Sequence, residues 1–303
     1  MGKRALVLGG GGPVGIAWEC GLLTGLAEAG VDLSEADFIV GTSAGSFVGA
    51  QIAMGQDIKA LAAPFLAMKD VPPKPAGEAK PSPTQQAGPP PDLSFLFKKM
   101  AEAASGQRPA EEVRAELGAW AADASKMSED AFIQSFGRFL AGLPEDAWPT
   151  KGYACTAVDI ETGAFHLWRK EDGVGLARAV ASSCSVPGVY PPITLKGRRY
   201  MDGGMRSPVN ADVATGYDTV VVVALNVAAG SEKAIARARA QLDGELQVLR
   251  DSGARVELVL PDAAAQAAFG PNLMDARRRP GAAQAGLDQA RAAAEALRAV
   301  WVG

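Results

Sequence analysis

Apolar residues fall into two patterns along the chain. Short runs without polar interruption stand at 5–8 (Ala5, Leu6, Val7, Leu8), 38–40 (Phe38, Ile39, Val40) and 220–225. Such β-branched and aliphatic runs predict strands buried on both faces. Further strands are predicted at 152–160, 164–168, 193–195, 199–201 and 256–260. Longer stretches between them carry helical spacing, at 16–30, 46–54, 57–68, 176–182, 231–250 and 282–301. Strands separated by helices predict an α/β fold, with a mostly parallel central sheet sandwiched by helices in three layers. Two stretches interrupt the alternation. Residues 70–92 are dense in proline, including Pro72, Pro73, Pro75, Pro89, Pro90 and Pro91, and predict a flexible linker because proline removes the backbone donor that helix and sheet need. Residues 93–150 then read as a helical cap. Phe132, Ile133, Phe136, Phe139 and Leu140 share one helical face there, either as core or as the lining of an acyl-chain pocket. Residues 1–303 read as one α/β domain whose C-terminal part, 227–303, is an added α/β extension.

Composition narrows the class. The chain has 303 residues, 48% of them hydrophobic, and a formal net charge of −4. This is a globular protein with no basic stripe for nucleic acid. The tight basic run Arg277-Arg278-Arg279 reads as a solvated turn before Pro280. Three cysteines, Cys20, Cys155 and Cys184, suit neither a disulfide framework nor a metal site. Neither a signal peptide nor a stretch of about 20 apolar residues is evident. The expected location is the cytoplasm, with room for transient contact at a membrane surface. No cofactor or metal is expected.

The candidate chemistry centres on Gly41-Thr42-Ser43-Ala44-Gly45, between the strand at 38–40 and the helix at 46–54. A serine on a sharp strand-to-helix turn is exposed, with a helix N-terminus behind it to stabilise negative charge. The first strand breaks into Gly9-Gly10-Gly11-Gly12-Pro13-Val14-Gly15. One reading of this loop is a dinucleotide fingerprint, for which Asp32 stands at the right distance but ahead of the second strand. The other is an oxyanion hole formed by the backbone of Gly10, Gly11 and Gly12. Serine needs a base. His166 is the only histidine, and a triad through it would draw on an acid such as Asp159. The alternative is a carboxylate acting directly. Asp202 is the candidate, since Gly203-Gly204 leave room for close approach.

In this order, Gly10-Gly11-Gly12-Pro13-Val14-Gly15, Gly41-Thr42-Ser43-Ala44-Gly45 and Asp202-Gly203-Gly204 resemble the patatin-like phospholipase family. The approach from Ala181 to Gly188 is also similar, and the resemblance covers about 5–226. It implies a lipid acyl hydrolase working through a Ser–Asp dyad. Ser43 would be the nucleophile, Asp202 the base and Gly10–Gly12 the oxyanion hole, with Gly15, Gly41, Gly45, Gly203 and Gly204 as motif glycines. Val14 stands where family members commonly carry Arg or Lys. The expected partner is a lipid or other acyl-ester substrate. Acyl transfer or thioester hydrolysis by the same pair, and a non-catalytic Rossmann-like nucleotide-binding module, are the alternatives.

Overall fold

The computed structural model describes residues 2–68, 93–225 and 232–302. The proline-rich stretch 70–92 lies outside the described residues. The strands are β1 (Arg4–Leu8), β2 (Phe38–Gly41), β3 (Gly152–Asp159), β4 (Phe165–Trp168), β5 (Ile193–Leu195), β6 (Arg198–Asp202), β7 (Thr219–Val223) and β8 (Arg255–Val259). The helices are α1 (Gly12–Glu28), α2 (Ala44–Ala53), α3 (Ala63–Leu66), α4 (Ser94–Ala103), α5 (Ala110–Ala121), α6 (Glu129–Ser135), α7 (Arg138–Ala141), α8 (Leu176–Ser183), α9 (Glu232–Asp251), α10 (Ala263–Phe269) and α11 (Arg279–Trp301). The expected helix over 57–68 is instead a 3-10 turn, Ile58–Ala60, followed by the single turn of α3. Pro64 lacks the amide that a continuous helix would use and takes the first turn of a new one.

All eight strands among the described residues belong to one sheet. β3, β2, β1, β7 and β8 run parallel in that order. β4, β5 and β6 are added antiparallel. Alternation within the apolar runs feeds two separate cores. Leu6, Leu8, Ile39, Val221 and Val223 face one side, with α1, α2, α8 and α11. Ala5, Val7, Val40, Val220 and Val222 face the other, against α9. A strand buried on both faces has no polar side, and its sequence therefore reads as an unbroken apolar run.

Two features of this sheet position the site. First, parallel pairing of β1 with β2 puts the turns that follow both strands at one edge, where α1 and α2 begin. Second, β3 is longer than its partners, and two strands share one of its sides. Cys155 pairs with Gly41 and with Trp168, and Ala157 pairs with Asp202 and with His166. A residue has one neighbour on each side. So β4 occupies one side of β3, while β2 and β6 lie end to end along the other. The end of β2 at Gly41 thus meets the end of β6 at Asp202.

The C-terminal segment packs into the same body. α11 runs alongside α1 in the same direction: Gly21 lies against Ala283, Gly25 against Ala290, and Arg298 donates to the Ala29 carbonyl. Small residues let the two helix backbones approach closely. Among the described residues, no helix is long and apolar enough to cross a membrane.

Candidate active site

Ser43 occupies the turn between β2 and α2. Its backbone is left-handed, with φ 53° and ψ −119°. For a residue with a Cβ this conformation costs about 1–3 kcal/mol, which the surroundings must supply. The neighbours do so with hydrogen bonds. The Ser43 amide donates to Ser183 Oγ at 3.0 Å. The Ser43 carbonyl accepts from Ser46 Oγ at 2.6 Å and from Cys184 Sγ at 3.1 Å. The flanking glycines have a steric role: a methyl group on Gly41 would overlap the Gly45 carbonyl, and one on Gly45 the Leu8 carbonyl. The Ser43 residue itself stays half-buried.

Asp202 ends β6 and is 1% exposed. Its Oδ1 accepts the Gly204 amide at 2.7 Å. Its Oδ2 is buried with no hydrogen-bond partner among the described residues. Burial raises its pKa to about 7, against the smaller opposing effects of the Ser43 hydroxyl and the Gly204 amide. Gly203 is required sterically, because a side chain there would overlap Thr156 Oγ1. A buried carboxyl that titrates near neutrality, with a bare oxygen and a serine hydroxyl as neighbour, can accept a proton from that hydroxyl.

The glycine loop lies beside this pair. A methyl group on Gly10 would sit 3.3 Å from Ser43 Cβ. The Gly10 amide is engaged, donating to the Pro208 carbonyl at 2.7 Å. Among the described residues no acceptor pairs with the amides of Gly11 and Gly12. Gly12 adopts φ +57°, and a side chain on it would meet Met274 Sδ at 2.9 Å and the Leu273 carbonyl at 3.0 Å. Gly15 faces Leu225.

The other candidates are placed elsewhere. His166 lies on the far side of β3 from Asp202. Its ring packs on Trp168, centroids 3.9 Å apart, and its Nε2 is 4.0 Å from Asp172. Burial lowers its pKa. Asp159 is engaged by Arg198 at 2.6 Å and by the amides of Glu161 and Thr162. No His166–Asp159–Ser43 relay is assembled. Asp32 caps the turn Leu33–Glu35 through the Ser34 amide at 2.8 Å. It precedes β2 and so lies at the opposite edge of the sheet from the glycine loop, where it has no access to a ligand bound there. Arg277 is paired with Asp275 at 2.7 Å.

Phe132, Ile133 and Leu140 are buried core residues, while Phe136 and Phe139 pack on Phe47, with centroids 5.4 and 5.8 Å apart. Phe47 stands one helical turn after Ser43, so this half-buried aromatic group borders the site. Ser183 and Cys184 fall in the stretch 181–188 that resembles the family, but that they and Ser46 brace Ser43 is not readable in the sequence, because it depends on where α8 ends. Glu19 of α1 is fully buried, and neither of its carboxyl oxygens has a partner among the described residues. Burial raises its pKa well above the ordinary value.

Burial of Asp202 has a consequence for stability. Its folded pKa, about 7, lies above the unfolded value near 3.8. The native state then holds the proton more tightly, and stability present below pH 4 is lost as the pH rises through 7. Asp202→Asn removes this loss. The variant is expected to match wild type near pH 4 and to exceed it at pH 8 by on the order of 4 kcal/mol, as read from urea midpoints. Equal midpoints at pH 8 would contradict the burial of this group.

The chain is similar to known proteins. Rat patatin-like phospholipase domain-containing protein 7 is 29% identical over 231 residues, which is 75% of this chain but 14% of that protein. The chain therefore spans about a seventh of the length of that relative. Among solved structures, VipD from Legionella pneumophila aligns with 97% of this chain and 67% of its own, at 14% identity and a TM-score of 0.45. The type III effector protein ExoU aligns with 95% of this chain and 53% of its own, at 16% identity and a TM-score of 0.35. The family model described as patatin-like phospholipase matches residues 6–215, a span that includes the glycine loop, the Ser43 turn and Asp202, and the chain belongs to that family.

Proposed function

We propose that the protein is a serine-dependent acyl-ester hydrolase acting on lipid esters. The observation that carries this reading is the fully buried Asp202, whose carboxyl has one unpartnered oxygen and, as a neighbour, the hydroxyl of a serine in a strained turn. In the proposed reaction, Ser43 Oγ attacks the ester carbonyl as Asp202 takes its proton. The amides of Gly11 and Gly12 stabilise the oxyanion. Collapse of the tetrahedral intermediate expels the alcohol, which Asp202 protonates. Water then attacks acyl-Ser43, with Asp202 again as base, and frees the acid and the serine. Acyl transfer and thioester hydrolysis would use the same atoms and differ only in acceptor or leaving group. Membership of a family described as phospholipases supports lipid as the acyl source.

The base must be ionised, so kcat/KM on a soluble acyl ester is expected to rise with pH through about 7, the pKa given to Asp202 by burial. Asp202→Asn should lower kcat by about 10³–10⁴-fold. His166→Ala should retain both the rate and the profile. Loss of activity in His166→Ala would favour a histidine-dependent mechanism instead.

We also propose contact with a lipid surface through α4. Phe97 is 59% exposed, the most exposed large apolar side chain among the described residues, and Lys98 beside it is exposed as well. The cap residues Leu93, Phe95 and Trp120 pack against a buried cluster that includes Met201, the residue before Asp202. An apolar residue with a cation next to it suits a membrane interface. Phe97→Glu is expected to weaken hydrolysis of vesicle-borne ester by about tenfold or more while sparing a water-soluble ester. Equal loss on both substrates would place Phe97 in packing alone.

A further inference from the structure

β2 and β6 meet end to end and do not pair with each other, so sheet hydrogen bonding along β3 does not by itself fix Ser43 relative to Asp202. A buried polar junction lies under the gap. Asn210 is fully buried with φ +54°. Its Nδ2 donates to Thr42 Oγ1 at 3.0 Å, to the Ser207 carbonyl at 2.6 Å and, more weakly, to the Gly203 carbonyl at 3.3 Å. Thr42 precedes the candidate nucleophile and Gly203 follows the candidate base. One amide group therefore touches both halves of the pair.

The surroundings hold that amide in one orientation. Arg206 donates to Asn210 Oδ1 at 2.8 Å, which fixes oxygen and nitrogen in their places. Arg206 is itself clamped by two bonds to Asp212, at 2.9 and 2.5 Å, and its guanidinium lies 4.6 Å from the Phe165 ring centroid. The Asn210 amide donates to Ser207 Oγ, and the next amide, Ala211, to the buried Glu245 of α9. Thr42 Oγ1 also accepts from Thr156 Oγ1 at 2.9 Å and donates to the Val209 carbonyl. Thr156 in turn packs directly under Gly203. A buried polar network of this kind is directional where an apolar core is not, and it is costly if any member is left unpaired.

We infer that Asn210, acting through Thr42, is the positioning residue that keeps Ser43 and Asp202 in register for proton transfer. The inference rests on the Ser43–Asp202 reading above. Asn210 does not touch the reacting atoms. Its effect is geometric, and an error of about 1 Å between reacting groups can cost about 100-fold in rate.

The test uses Asn210→Gly, which keeps the left-handed backbone accessible while removing the amide, with Thr42→Val and Thr42→Ser as a second, independent pair. Each is assayed on a soluble acyl ester, normalised to folded protein by circular dichroism, across pH. Asn210→Gly and Thr42→Val are expected to lose about 100-fold in kcat with KM within about threefold of wild type, and Thr42→Ser to retain the wild-type rate. The acid limb should move to higher pH in the two impaired variants, because a loosened Gly203-Gly204 turn weakens the amide bond that holds the Asp202 pKa down. Because both changes break one link, the double variant should lose little more than the worse single. Variants that melt at lower temperature but keep wild-type kcat and an unmoved acid limb would overturn the inference, leaving Asn210 a role in stability alone. A folded wild type inactive toward every ester would refute the hydrolase reading itself, and this inference with it.

Discussion

The sharing of one side of β3 between two strands is the constraint on which the site depends. β2 runs with β3 and ends at Gly41, while β6 runs against it and ends at Asp202, opposite Ala157. Each strand hands its last residue to a glycine-flanked turn. Neither turn could close with a side chain at Gly45 or Gly203, because the Leu8 carbonyl and the Thr156 hydroxyl already occupy that space. The same pairing sends His166 to the other side of β3. Strand pairing thus decides which titratable group faces the serine before any detail of side-chain geometry enters.

Electrostatics then sharpen what the pairing assembles. Asp202 is buried with one oxygen satisfied by Gly204 and the other bare, so desolvation outweighs hydrogen bonding and its pKa climbs toward neutrality. An exposed aspartate at the same place would be a far weaker base. In the loop after β1, Gly10 is tied to Pro208, while no acceptor among the described residues takes the amides of Gly11 and Gly12. The segment 207–210 supports both halves, through Pro208 to the glycine loop and through Val209 and Asn210 to Thr42. The C-terminal segment beyond the family match adds its own supports. The Leu273 carbonyl accepts the Val14 amide at 3.1 Å, and Glu245 of α9 holds the Ala211 amide.

The sequence exposed what local composition controls. The unbroken runs at 5–8, 38–40 and 220–225 are strands because residues buried on both faces leave no polar position, and the parallel layers follow from helices between them. Ser43, Asp202 and their glycines could be picked out because tight turns and close approach leave few residue choices. Features that arise from distant contacts were not readable. That the Gly10 amide is engaged depends on Pro208, almost two hundred positions away, and that Asn210 joins Thr42 to Gly203 depends on how two strands abut. The helix expected over 57–68 missed Pro64 as a point of restart. The aromatic face of the cap serves packing, with Phe132 in the core and Phe136 against Phe47 beside it.

The central claim is that Ser43 is an activated nucleophile. Labelling of the folded protein with a fluorophosphonate probe, mapped by peptide mass spectrometry across pH, tests it most directly. The expected result is a single adduct on the peptide bearing Ser43, formed faster as pH rises through about 7 with the ionisation of Asp202. A folded protein that stays unlabelled in the presence of detergent and lipid, or that carries the adduct on another residue, would contradict the claim.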